Sequence, residues 1–300
     1  YTPLVKLSSE IVERFKTGGL PSFSSNDPLE VEWPGVLQSI GELYEIGFNS
    51  NVLNLNAAEA EGVLATFRYL VEFPNPTLEQ EEESLTKGSS PADISLNCVR
   101  GWVFRGMLAF ALYLYRNRES GDTNFDSALS QTKDLLKRHS NLKIEQHKSI
   151  RYLYGEFLPW LVRLDADWSK TFLLDLFCGV DDEFNLAAWE GYARNQLWKT
   201  VHQELKEPIA YYLRNLAGKT PRWSRGSELS QAVGHHLVNA YLYDLVPWAW
   251  ETLESLFTFA PDEMKASVIG FIGRQYIIKG SLNEHKELPA IEKARRLWEN

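Results

Sequence analysis

Few residues in this sequence are of a type and spacing that could do chemistry. Gly218-Lys219-Thr220 has the form of the end of a phosphate-binding loop. Such a loop needs a glycine five positions before its second one, so that backbone amides between a strand and a helix can cradle an anion. Leu213 stands at that position, within the helical run Tyr211-Tyr212-Leu213-Arg214. The segment therefore reads as a turn between helices. His235 and His236 are adjacent, and neighbouring side chains on a helix diverge by about 100°, too far to hold one metal from a single face. The expectation for His235 is packing against Tyr241 or a neighbouring helix, with a hydrogen bond there. His202 lies near Glu204 and Glu207 without a second ligand at helical spacing, and His139, His147 and His285 read as surface positions. No HExxH and no Cys/His constellation is present, so neither a metal nor a cofactor is expected.

Paired acids occur at Asp165/Asp167, at Asp181/Asp182/Glu183 and within residues 81–83. They serve acid–base catalysis only where burial drives their pKa values apart. The first two groups stand where helices begin, so capping accounts for them, and the third lies in a hydrophilic stretch. Two cysteines, Cys98 and Cys178, are too few for a disulfide framework, and Cys178 reads as a small buried thiol.

Two further groups point to binding. Residues 219–226 form a basic connection centred on Trp223, with Arg222 and Arg225 on either side, in an acidic chain. Arg and Trp are the residue types that most often dominate protein interfaces. The alternative for this loop folds Trp223 back onto the core while the basic groups pair with the acidic body. The second group is Arg100, Arg151 and Arg274, each embedded in an apolar helical stretch. Such a charge needs a carboxylate, helix-end carbonyls or a wet concave face, so internal ion pairs stand beside a binding role for Arg151 and Arg274.

The elements that must position these residues read as helices. Leu96, Val99, Val103, Met107, Phe110 and Leu114 recur at spacings of three and four in residues 93–118 and make one stripe about seven turns long. Ile150, Leu153, Phe157 and Leu161 repeat the pattern, with Pro159 marking a kink or a break. Further helices are expected near 4–16, 57–72, 123–138, 165–177, 184–194, 197–216, 227–244, 247–258, 261–279 and 285–298. Leu29–Trp33 alternates between prolines and reads as a short extended piece. Residues 73–92 combine three prolines, an acidic run and Gly88-Ser89-Ser90, and read as an acidic, proline-rich loop or linker between an N-terminal helical segment (1–72) and a helical array (93–300). Helix pairs recurring about every 40 residues from 93 onward suggest HEAT- or TPR-like stacking, an all-α right-handed superhelix. Glycines inside the helices, Gly101, Gly155, Gly191, Gly234, Gly270 and Gly273, imply close approach by a neighbouring helix or a large ring, because each costs about 1 kcal/mol relative to alanine.

Over 300 residues the hydrophobic share is 44% and the charged share 24%, ordinary for a globular chain. A net charge of −9 argues against nucleic acid as a partner, and no apolar run reaches the length of a membrane helix. Tyr1 at the start and a final stretch still helical in pattern suggest a piece of a longer, cytoplasmic polypeptide.

Residues 95–115, 149–177, 187–195 (AAWEGYARN) and 271–277 (FIGRQYI) together resemble the C-terminal helical-repeat regions of large bacterial anti-phage defence proteins, the STAND-type NTPases and relatives bearing Sir2-like or nuclease effectors. The resemblance covers roughly residues 93–280. It implies a sensor array that recognises an invader's protein and licenses activity elsewhere in the parent polypeptide. It carries no catalytic residue to this chain. The expected function is non-catalytic protein recognition, with a phage protein and the rest of the parent polypeptide as partners. An oligomerisation scaffold and, last, an all-helical enzyme using Arg151, Arg274 and His235 are the alternatives.

Overall fold

The computed structural model describes residues 2–17, 33–50, 52–118, 125–179, 181–223, 228–278 and 288–299. The fold is all-α, and no strand occurs among the described residues. None of the described helices is long and apolar enough to cross a membrane. The chain divides into two compact units, Tyr1–Leu153 and Tyr154–Asn300.

The first unit holds α1 (Thr2–Lys16), α2 (Trp33–Asn49), α3 (Ala57–Leu70), α4 (Leu78–Thr86), α5 (Pro91–Leu96), α6 (Val99–Asn117), α7 (Asp126–His139) and the start of α8 (Lys148–Glu156). Its hub is α6, whose residues from Val103 to Leu114 are buried apart from Arg105. A helix apolar on nearly all sides needs neighbours on all sides, and α2, α3, α5 and α7 supply them. The expected seven-turn stripe is two helices, because the chain breaks at Asn97 and Cys98. Cys98 caps α6, its Sγ accepting from the Gly101 amide at 3.3 Å. Leu96 falls outside the stripe and is exposed. A Cβ on Gly101 would stand 1.8 Å from the Ser95 carbonyl oxygen, so this turn admits only glycine.

Two expectations are corrected here. Residues 33–49, for which no helix was expected, form α2, whose buried Leu37, Ile40, Tyr44 and Phe48 lie on one face against α6. Residues 73–92, expected as a loop or linker, contain α4. A capping box between Thr77 and Gln80 starts α4, and one between Ser90 and Asp93 starts α5. The acidic run is thus the first turns of a helix, where carboxylates oppose the positive end of the backbone dipole.

The second unit runs from the end of α8 through α9 (Leu158–Leu164), α10 (Ala166–Phe177), α11 (Asp182–Ala193), α12 (Lys199–Gln203), α13 (Lys206–Asn215), α14 (Glu228–Leu242), α15 (Ala249–Phe259) and α16 (Asp262–Ile272). A π-helical turn, Gly273–Ile278, follows, and then α17 (Leu288–Glu299). Pro159 sits in the first turn of α9, where its missing amide hydrogen would be unsatisfied anyway, so the helix breaks before it. Asp165 caps α10 and Asp181 caps α11 through their side chains, as their positions suggested. The core centres on Trp189, fully buried among Phe177 (ring centroids 4.8 Å apart), Tyr212 (4.9 Å) and Tyr192 (5.6 Å). Close helix crossing is clearest at Gly155, where a Cβ would stand 1.9 Å from the Ala188 carbonyl oxygen of α11. The stretch 197–216, expected as one helix, is two: α12 ends at Gln203, and α13 restarts with Pro208 near its beginning.

Candidate functional site

The expected binding residues do not converge. Trp223 is buried, and its indole Nε1 donates to Glu190 at 2.7 Å. Arg222 pairs with Glu183 at 3.1 Å, and Lys219 pairs with Asp182. The described part of this loop thus has its tryptophan folded onto the core and its cations on the acidic body. Arg225 lies outside the described residues, as does His285. Arg151 is buried and donates to the Ser140 carbonyl at 2.7 Å, closing the end of α7. Arg274 is exposed on the π-helical turn. Gly218 has φ +84° and its amide donates to Ser230 Oγ at 3.3 Å, so it serves a turn.

The first unit contains a buried ionic cluster that sequence reasoning missed. Glu145 accepts from Arg100 Nη1 at 2.7 Å, His147 Nδ1 at 2.5 Å and His139 Nδ1 at 3.3 Å. His139 and His147 are therefore buried, against the expectation of surface positions. Burial alone would raise the Glu145 carboxyl, but the hydrogen bonds from His139 and His147 and the Arg100 charge outweigh it and hold the group down at about 2. An ionised carboxylate only accepts, so both imidazoles carry a proton at Nδ1. Beside this cluster Glu81, 1% exposed, accepts from the amides of Lys148 (2.8 Å) and Ser149 (3.0 Å) and from Ser149 Oγ (2.5 Å). It caps α8 from 67 residues away, while Lys148 Nζ reaches Glu82 at 2.6 Å.

A carboxylate holding histidines by Nδ1 is how metal-binding imidazoles are often oriented. Yet no group of three His, Cys, Asp or Glu residues among the described residues is placed to hold a metal ion. A carboxylate held at about 2 is also a poor base at neutral pH. What the cluster does physically is tie α6 to the end of α7 and the connection into α8. Cys98 lies near these charges, and burial pushes its thiol up to about 12, which leaves it unreactive.

The second unit treats its buried histidines differently. His202 stacks on Trp248 (5.1 Å) and lies 3.4 Å from the Tyr192 hydroxyl, and His236 meets the Tyr192 ring edge-on at 5.3 Å. Burial, with a smaller contribution from His236, pushes His202 down to about 4. Burial likewise brings His236 to about 4, against a hydrogen bond with the Asn195 backbone. Both are neutral at physiological pH. His235 stacks on Phe271 of α16 at 4.1 Å, with Ser267 Oγ 3.4 Å away, consistent with packing on a neighbouring helix. Cys178, expected as a buried thiol, is only partly buried, and that burial raises its thiol to about 11.

A surface feature of the second unit remains. Between α9 and α12 opens a cleft of about 390 Å³, lined by Pro159, Trp160, Val162, Arg163, Trp198 and Glu204 among others. Trp160 is 38% exposed and Trp198 46%, with ring centroids 6.4 Å apart and planes tilted by 53°. The packing of α9 on α12 brings the two indoles together across 38 positions, so no helical spacing announces the pair. Glu204 is engaged by Lys170 at 3.2 Å. The two indoles thus stand partly in water beside charged groups.

The chain matches no protein-family model, no curated protein and no solved structure.

Proposed function

We propose that this chain is a non-catalytic protein-recognition module, a sensor region of a bacterial antiviral defence protein, which binds a partner polypeptide through a helical-repeat surface. The observation that carries the reading is the cleft between α9 and α12, where Trp160 and Trp198 stay exposed although burying an aromatic side chain would stabilise the fold by about 1.5–3 kcal/mol. Tryptophan is the residue type most enriched among those that dominate interface energetics. Successive packing of α10 on α11, α11 on α14 and α14 on α16 supports the helical-repeat part. The test is calorimetric titration of the purified chain with candidate phage structural proteins. One of them binds, and Trp198→Ala weakens that binding by about tenfold or more, the usual effect of a dominant interface tryptophan. Binding that survives both Trp198→Ala and Trp160→Ala, or no binding to any candidate to which the parent protein responds, contradicts the proposal.

A further inference from the structure

The charges around the tryptophan cleft are unequally satisfied. Arg163 lines the cleft, is exposed, and has no carboxylate partner among the described residues. The acid that lines the same cleft, Glu204, is already held by Lys170, which also lies 3.5 Å from Asp167. An incoming anion therefore meets an unpaired guanidinium, whereas an incoming cation meets only a carboxylate that must first release a lysine. The apolar wall is formed by the two indoles with Pro159 and Val162. A volume of about 390 Å³ is at the small end of ligand pockets, roughly 300–1,000 Å³, so the cleft takes one or two side chains rather than a docked helix. With centroids 6.4 Å apart and planes tilted by 53°, the indoles pack on each other and form one bent apolar wall, not the flat platform on which a sugar ring lies.

From this geometry we infer that the cleft binds an acidic–apolar peptide segment: a Leu, Phe or Trp side chain packs against the exposed side of the Trp160–Trp198 pair while a neighbouring Asp or Glu pairs with Arg163. The inference rests on the recognition reading above and adds the chemistry of the ligand. Arg presents a planar donor fork suited to a carboxylate, so the pair sets the register of the segment as well as its affinity.

The experiment pans a random peptide library on the full chain and, as counter-selection, on Trp198→Ala, with Trp160→Ala as the second variant should the first lose helicity. Peptides that depend on the tryptophans are expected to carry Asp or Glu beside Leu, Phe or Trp. A synthetic peptide of the selected sequence should lose roughly tenfold in affinity on Arg163→Gln, and Arg163→Glu should invert the preference towards a Lys-bearing version. Tryptophan-dependent peptides that are basic or neutral, or that do not respond to Arg163→Glu, overturn the acidic preference while leaving docking at the cleft intact. If no peptide depends on either tryptophan, or if a glycan binds there instead, both the inference and the recognition reading at this cleft fall.

Discussion

The two units bury histidine in opposite ways. In the first, His139 and His147 share Glu145 with Arg100, so charge is taken inside and neutralised there. In the second, His202 and His236 lie among Trp248 and Tyr192, and burial keeps them uncharged. An internal ion cluster is costly to break because each partner left behind is a stranded charge. A neutral imidazole in an aromatic cage is inexpensive at pH 7 and becomes a liability only when protons are plentiful. The recognition proposed above is placed at neither arrangement but at the exposed cleft of the second unit.

The largest expected effect breaks the first arrangement. Glu145→Ala strands Arg100 and two imidazoles and should destabilise the fold by about 3–5 kcal/mol, measured by urea unfolding. A loss under about 1 kcal/mol would show that water reaches the cluster and that it is not an internal device.

Acidification sharpens the comparison by separating the units. The folded-state pKa values of His202 and His236 lie at about 4, below the value of 6.5 for a free imidazole. The unfolded chain therefore binds more protons in that window. Their contribution is complete above pH 6.5 and is lost as the pH falls towards 4, by about 2 kcal/mol each at pH 5. Glu145, held at about 2 against a usual 4.5, gives up its contribution only as the pH falls below 4.5. Hydrogen exchange at pH 5 should thus show α11, α12 and α14 losing protection relative to pH 7, with His202→Phe reducing that loss. Loss of protection around α6 and α7 first would reverse the assignment.

A smaller effect is expected at Gly155. A methyl group there meets the Ala188 carbonyl oxygen at 1.9 Å, so Gly155→Ala should cost about 1–3 kcal/mol by thermal unfolding despite alanine's better helix propensity. A stabilised variant would mean that α8 and α11 are not held that close.

Much of the helical content was legible because it is written at spacings of three and four, as in Val99, Val103, Met107, Phe110 and Leu114. The caps Asp165 and Asp181 were legible because capping is a local event. What escaped depended on tertiary contacts that no local spacing announces, most of them between residues far apart in sequence. The stripe of α2 was present in Leu37, Ile40, Tyr44 and Phe48, but Pro34 and three glycines masked it, and packing on α6 supplies what propensity lacks. The acid run of α4 looked soluble because nothing near Glu81 in sequence shows that the start of α8 will need its carboxylate. His139 and His147 looked exposed because Glu145, which buries them, sits in a connection with no periodicity. The proposed cleft was not legible in the sequence, and none of the residues expected to bind lines it. Trp223 and Arg222 turn inward or pair, while Trp198 joins Trp160 and Arg163, which lie one turn apart on α9, only through the packing of α9 on α12.

The most direct measurement compares Trp198→Ala with Glu145→Gln for both thermal stability and affinity towards the peptide selected on the native chain. Trp198→Ala should keep its stability within about 0.5 kcal/mol and lose binding, whereas Glu145→Gln should lose stability and, below its unfolding temperature, still bind. Undiminished binding by Trp198→Ala, or loss of binding by a folded Glu145→Gln, would contradict the placement of recognition at the cleft and of structure in the buried cluster.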